Sequence, residues 1–120
     1  MAVDEGVRTD ARLCELVLGE SVTAYLANAD SVEEHRARLR VGGDQLRGAA
    51  PRLAAVRRVI LAFQIENALG SVATWLRFGH QPDEVPARII RDQGDDERLC
   101  AGLAEAASKW LSDHRVSYAH

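Results

Sequence analysis

An all-α fold is what this sequence predicts, and three observations carry it. Apolar residues recur at offsets of three, four and seven through most of the 120-residue chain. The breaks between those stretches fall on residues that end or begin helices: Gly19, the Gly42-Gly43 pair, Gly79, Pro82, Pro86 and Gly94. No segment shows the period-two alternation of a half-buried strand. The expected organisation is two helical units, residues 10–48 and 51–113, between a disordered N-terminus (1–9) and a flexible tail (114–120).

Residues 1–9 hold few apolar groups and several charges, which predicts disorder. Periodicity starts at Asp10, a suitable N-cap. Leu13, Leu16 and Val17, with Cys14 beside them, form one side of a helix that Gly19 ends. Ser21 opens a short second helix with Val22, Tyr25 and Leu26 inward, and residues 28–30 turn the chain. Ser31-Val32-Glu33-Glu34 fits a capping box: the Ser31 hydroxyl accepts from the Glu34 N–H, and the Glu34 carboxylate reaches back to the Ser31 N–H. The third helix carries Val32, His35, Arg36 and Leu39 and stops at Gly42-Gly43. Two short helices about a tight turn have helix-turn-helix lengths.

The Gly/Ala-rich stretch 42–50 reads as the seam between the units. Pro51 then opens the longest helix, striped by Leu53, Val56, Val59 or Ile60, and Phe63, and ending near 67–70. Ser71 to Phe78 follows, with Val72, Trp75 and Leu76 on one face. Pro82 and Pro86 stand where the next helix starts, and Val85, Ile89 and Ile90 supply its apolar side. Gly94 breaks it, and Asp95 or Asp96 caps the last helix, whose apolar side is Leu99, Leu103, Ala106, Ala107, Trp110 and Leu111.

Composition narrows the function classes. Hydrophobic residues make up 47% and charged residues 28%, values ordinary for a globular chain. No apolar run reaches the length that crosses a bilayer, and the acidic start of the chain has no apolar centre, so the expected compartment is the cytoplasm and no membrane partner is expected. Cys14 and Cys100, each beside a leucine, read as buried reduced thiols. The four histidines, His35, His80, His114 and His120, are scattered, and no metal, phosphate-loop or nucleophile motif occurs. The expectation is a protein that is not an enzyme, needs no cofactor or metal, and has no small-molecule substrate. Charge is uneven. Residues 1–34 hold two arginines against eight acids, and residues 35–58 hold seven arginines against Asp44 alone. That basic centre could face nucleic acid or the acidic ends of its own chain.

Four stretches, in order, resemble the Xre/MbcA/ParS-type antitoxins of bacterial toxin–antitoxin pairs. LVLGESVTAYLANADSVEEHRARLRVGG (16–43) is similar to that family's degenerate helix-turn-helix; PRLAAVRRVI (51–60) is similar to its Arg/Leu-rich joining helix. VATWLRFG (72–79) holds the Trp-Leu pair at Trp75-Leu76, and PARIIRDQGDDERL (86–99) is similar to its Pro-Ala segment before the last helix. The chain departs from the pattern at Leu39, where the family carries a tryptophan, and at Gly79-His80-Gln81-Pro82, where the family has an Asn-Pro turn.

The resemblance implies an antitoxin, commonly a homodimer, that covers the active site of a cognate toxin, usually a RES-domain enzyme that destroys NAD, and whose helix-turn-helix binds operator DNA. The residues nominated for DNA are His35, Arg36, Arg38, Arg40 and Arg47, with Glu33 and Glu34 opposing phosphate at the helix start. Those nominated for the toxin are Trp75, Arg91, Asp92, Asp95, Asp96 and Glu97, with Arg115 and Tyr118 in the tail; an acidic surface suits a cleft that receives phosphates. The alternatives are a stand-alone DNA-binding regulator and a helical scaffold.

Overall fold

The structure, a computed structural model, describes the backbone over residues 2–78 and 85–118 and the side chains over 4–78 and 85–113. Among the described residues seven α-helices follow one another: α1 (Ala2–Leu18), α2 (Glu20–Leu26), α3 (Val32–Val41), α4 (Asp44–Ile65), α5 (Val72–Phe78), α6 (Pro86–Gln93) and α7 (Glu97–Tyr118). A 3-10 turn, Leu69–Ser71, leads into α5, and no strand occurs among the described residues. Each long helix is separated from the next by two short ones.

Cross-ties fix the directions of the long helices. Asp4 of α1 accepts from the Gly43 N–H and Arg47 at the start of α4, and Asp10 pairs with Arg57 further along both. Arg52 of α4 lies against Gly94, just before α7, while Phe63 meets the Trp110 ring of α7 at 6.0 Å between centroids. Both α1 and α7 therefore run parallel to α4, and the short pairs α2–α3 and α5–α6 carry the chain back between them.

The core forms around α4. Leu46, Ala49, Leu53, Val56, Ile60 and Phe63 continue one stripe at three- and four-residue steps, and Ala55 and Val59 widen it, all buried. Val7, Ala11 and Cys14 meet it from α1; Cys100, Leu103, Ala107 and Leu111 meet it from α7; Val72, Trp75, Leu76 and Ile90 close it from the short helices. Each fully buried large side chain contributes roughly 1.5–3 kcal/mol of transfer free energy.

Several expectations are corrected here. The N-terminus is helical from Ala2, because Val7, Ala11 and Cys14 recur at helical spacing into the core and Asp4 is tied to α4. The expected seam is helix: only Gly42 and Gly43, at φ +73° and +76°, turn the chain, and Leu46 and Ala49 then extend the α4 stripe. Pro51 lies inside α4 instead of opening it. Its missing N–H removes the helical bond to the Arg47 carbonyl. The seam expected between residues 48 and 51 thus falls within one continuous helix.

Local details shift as well. On α2 the buried residues are Thr23, Ala24 and Leu26, while Val22 and Tyr25 point outward. Leu16 and Leu99 also stand exposed, since α1 and α7 bury the faces of Cys14 and Leu103 instead. Ser31 caps α3 as expected, its Oγ accepting from the Glu34 N–H at 3.1 Å. The Glu34 carboxylate returns one residue earlier than the box predicts, to the Asp30 N–H at 3.2 Å. Pro86 opens α6, and Asp96 caps α7, accepting from the Arg98 and Leu99 N–H groups. The α7 backbone continues to Tyr118 where a tail was expected from 114. Gly79 and Pro82 lie outside the described residues.

Candidate interaction surfaces

The nominated DNA contacts are largely committed to the fold. His35 is 2% exposed, packed between α3 and α1 with Nε2 3.9 Å from a Glu15 oxygen, so it cannot touch a duplex. Arg38 reaches back under α2, donating to the Ala27 and Asn28 carbonyls and to the Glu34 carboxylate, and so acts as the C-cap of α2. Arg47 pairs with Asp4 and Asp44. Arg36 makes a two-pronged bond to Glu20, at 2.6 and 3.0 Å, which holds the Glu20 carboxyl below its usual pKa. Arg40 is exposed. Within the basic centre of the sequence, Arg36, Arg47 and Arg57 therefore face acids of α1 and α2.

His35 provides a pH test. Burial pushes its pKa down, against the pull of Glu15 from α1 and Glu20 from α2, while Arg38 pushes the same way as burial. The unfolded histidine, titrating near 6.5, binds protons more readily than the folded one. Its contribution to stability is thus fully present above about pH 6.5 and is lost as pH falls from there toward the depressed folded value. Urea midpoints of the wild type and His35→Leu, measured from pH 8 to pH 5, should diverge in slope, the wild type losing stability faster below pH 6.5. Parallel curves would refute this assignment.

The nominated toxin contacts divide. Trp75 is 1% exposed and packs its ring 5.9 Å from Phe63, so it is a core anchor and not a surface contact. Arg91 ties α6 to α2: its guanidinium donates to the Tyr25 and Ala29 carbonyls, stacks 4.6 Å from the Tyr25 ring and approaches Asp30. Asp96 is exposed but occupied as the α7 cap. Asp92, Asp95 and Glu97 are exposed and form an acidic corner at the α6–α7 turn. The side chains of Arg115 and Tyr118 lie outside the described residues.

Sequence reasoning missed two surfaces. The first is an apolar groove of about 620 Å³ between α2, α5 and α6, with Ala73, Leu76 and Ala87 in its lining. Tyr25, 41% exposed, and Phe78, 64% exposed, stand on its walls. Assigning Tyr25 to the core hid it. The second is a groove of about 330 Å³ between α1 and α3, lined by Arg8, Arg12, Glu15, Arg36, Leu39 and Arg40. The i, i+4 spacing of the arginines on each helix was legible, but their convergence depended on α1 extending back to Ala2.

Both cysteines are free and buried, and burial pushes the Cys14 thiol up to about 12, leaving it protonated and unreactive at neutral pH. Among the described residues no group of three or more His, Cys, Asp and Glu side chains is placed to hold a metal ion. Among the described residues no helix is long and apolar enough to cross a membrane. The fold and surfaces define an all-helical protein with two grooves of opposite character. Comparisons with protein-family models, curated proteins and solved structures returned no match.

Proposed function

We propose that this chain is an antitoxin-like binding protein, which neutralises a protein toxin by covering its active site. The observation that carries the reading is Phe78 and Tyr25 standing over an apolar groove. Aromatic anchors around an apolar centre are what protein interfaces concentrate, and large side chains left in water at such a groove mark a contact surface. Asp92 at the end of α6, whose first turn lines the groove, Asp95 in the turn that follows and Glu97 at the start of α7 add an exposed acidic patch beyond it. The ordered resemblance in sequence supplies the class of partner, a RES-domain enzyme acting on NAD in the bacterial cytoplasm. Carboxylates match the charge of the phosphates such a cleft receives.

In this reading α2, the turn at 27–31 and α3 are the degenerate helix-turn-helix, and the chain works as a homodimer that also regulates its own operon. The stand-alone regulator is the weaker alternative, since most of the side chains nominated to read bases are buried or held by the chain's own acids.

Co-expression with the enzyme encoded beside it tests the proposal. The wild type should rescue growth, and Tyr25→Ala/Phe78→Ala should lose rescue while keeping its helical circular dichroism. Charge reversal, Asp95→Lys/Glu97→Lys, should weaken binding about tenfold or more, the scale of a lost charge match. No rescue by the wild type, or full rescue by the folded double variant, would reject it.

A further inference from the structure

We propose that the groove between α1 and α3 binds a run of closely spaced phosphates by charge and guanidinium geometry alone, without reading bases. Four arginines converge there. Arg8 and Arg12 are four apart on α1, and Arg36 and Arg40 are four apart on α3, so each pair shares one helix face. Leu39 and Glu15 complete the lining. All four cations are arginine, whose planar fork holds phosphate oxygens two at a time where lysine acts as a point charge.

The four differ in how they are held, and the difference suits capture. Arg8 is the fixed member: its Nε donates to the Leu39 carbonyl at 2.8 Å, which clamps α1 to α3 and sets the width of the groove. Arg12 and Arg40 are exposed. Arg36 is bonded to Glu20, but both side chains of that pair are about half exposed. A solvent-exposed pair of this kind adds little to stability, so an arriving phosphate can take the guanidinium over. Glu15 is the single acid in the lining and the internal competitor, its carboxylate lying toward the buried His35. The narrow groove offers one leucine as its apolar contact, which suits a ribbon of phosphates and not an acidic peptide with side chains to seat.

The two sources of such phosphates are a nucleic-acid backbone and a free polyphosphate. The site uses no residue of the α2–α5–α6 groove, so it stands or falls independently of toxin binding.

Anisotropy of two labelled short duplexes of unrelated sequence, and calorimetry with tripolyphosphate, test the full chain at low salt. Both duplexes should bind equally, with log affinity falling against log salt at a slope of about −2 to −4, as for two to four neutralised phosphates. Arg12→Ala/Arg40→Ala should weaken binding about tenfold or more and flatten that slope. Glu15→Gln should tighten it severalfold, and Arg77→Ala on α5 should leave it unchanged. Tripolyphosphate binding that the double variant loses, without duplex binding, also supports the site and makes its ligand a free polyphosphate. Failure of both probes to bind the wild type would overturn the proposal. So would wild-type binding by the folded double variant, equal loss in Arg77→Ala, or strong preference for one duplex.

Discussion

Phe63→Ala should remove about 3–5 kcal/mol of stability, the range for a fully buried phenylalanine cut back to a methyl. Phe63 is 0% exposed and sits on α4 where three elements meet. Its ring lies 5.9 Å from Trp75 of α5 and 6.0 Å from Trp110 of α7, tilted at 54° and 41°. Tilted pairs at this distance add to the burial. The cavity left by truncation would be walled by two indoles on separate helices, which cannot both collapse into it. A domain of this size holds about 5–15 kcal/mol in total, so the variant should melt roughly 10–20 °C lower. The chain has only two tryptophans, both at this contact. Their emission should therefore shift to the red in the native state of Phe63→Ala and hardly move in Phe63→Leu, which should lose about half as much stability. A loss below about 1.5 kcal/mol for Phe63→Ala would show that this contact is not central.

That contact shows which parts of the fold were legible. The stripe Leu53, Val56, Ile60, Phe63 is written at helical spacing, and Trp75 and Trp110 each fall on the apolar face of their own helix. The capping residues Ser31 and Asp96 and the opening Pro86 were also readable, because each acts within one helical turn of itself. What failed was punctuation with a tertiary override. Gly48 and Pro51 look like a linker, yet Leu46 and Ala49 have a core to bury into on the far side of Gly43, and that burial outweighs the Pro51 break. The N-terminus failed for the same reason: Val7 is one apolar residue among charges, and only α4 beneath it makes it a core residue.

The surfaces were legible in composition and not in place. The arginine excess at 35–58 was plain, but a residue's own helix does not say whether an acid stands opposite. Arg36 meets Glu20, sixteen residues back, and Arg47 meets Asp4, forty-three back. His35 at the centre of the nominated recognition helix is buried because α1 crosses it, with Glu15 as its neighbour. The groove under Tyr25 was hidden by a short helix of seven residues, too brief for its apolar face to be told from its exposed one.

Gly94→Ala should destabilise the protein by about 2–3 kcal/mol although it puts a better helix former at the end of a helix. The backbone there is ordinary right-handed helix, φ −69° and ψ −9°, so glycine is not needed for its conformation. It is needed for space. A Cβ at Gly94 would fall on the Arg52 side chain and the Ile90 carbonyl. Arg52 cannot easily yield, since its Nε donates to the Arg91 carbonyl at 2.8 Å and so straps α4 to the end of α6. On the other side the Cys100 thiol donates to the Gly94 carbonyl, holding the turn against α7. An added methyl must pry α4 from the α6–α7 corner or break the strap. Gly102→Ala gives the opposite sign: Gly102 is exposed inside α7 with open space around it, and the change should stabilise by up to about 1 kcal/mol. Removing the obstruction in Gly94→Ala/Arg52→Ala should cost less than the sum of the single changes, because the two act on one contact. Strict additivity in that cycle would mean that α4 does not approach the corner as closely as Gly94 permits. The acidic side chains of Asp92, Asp95 and Glu97 would then have no rigid base from which to meet a partner.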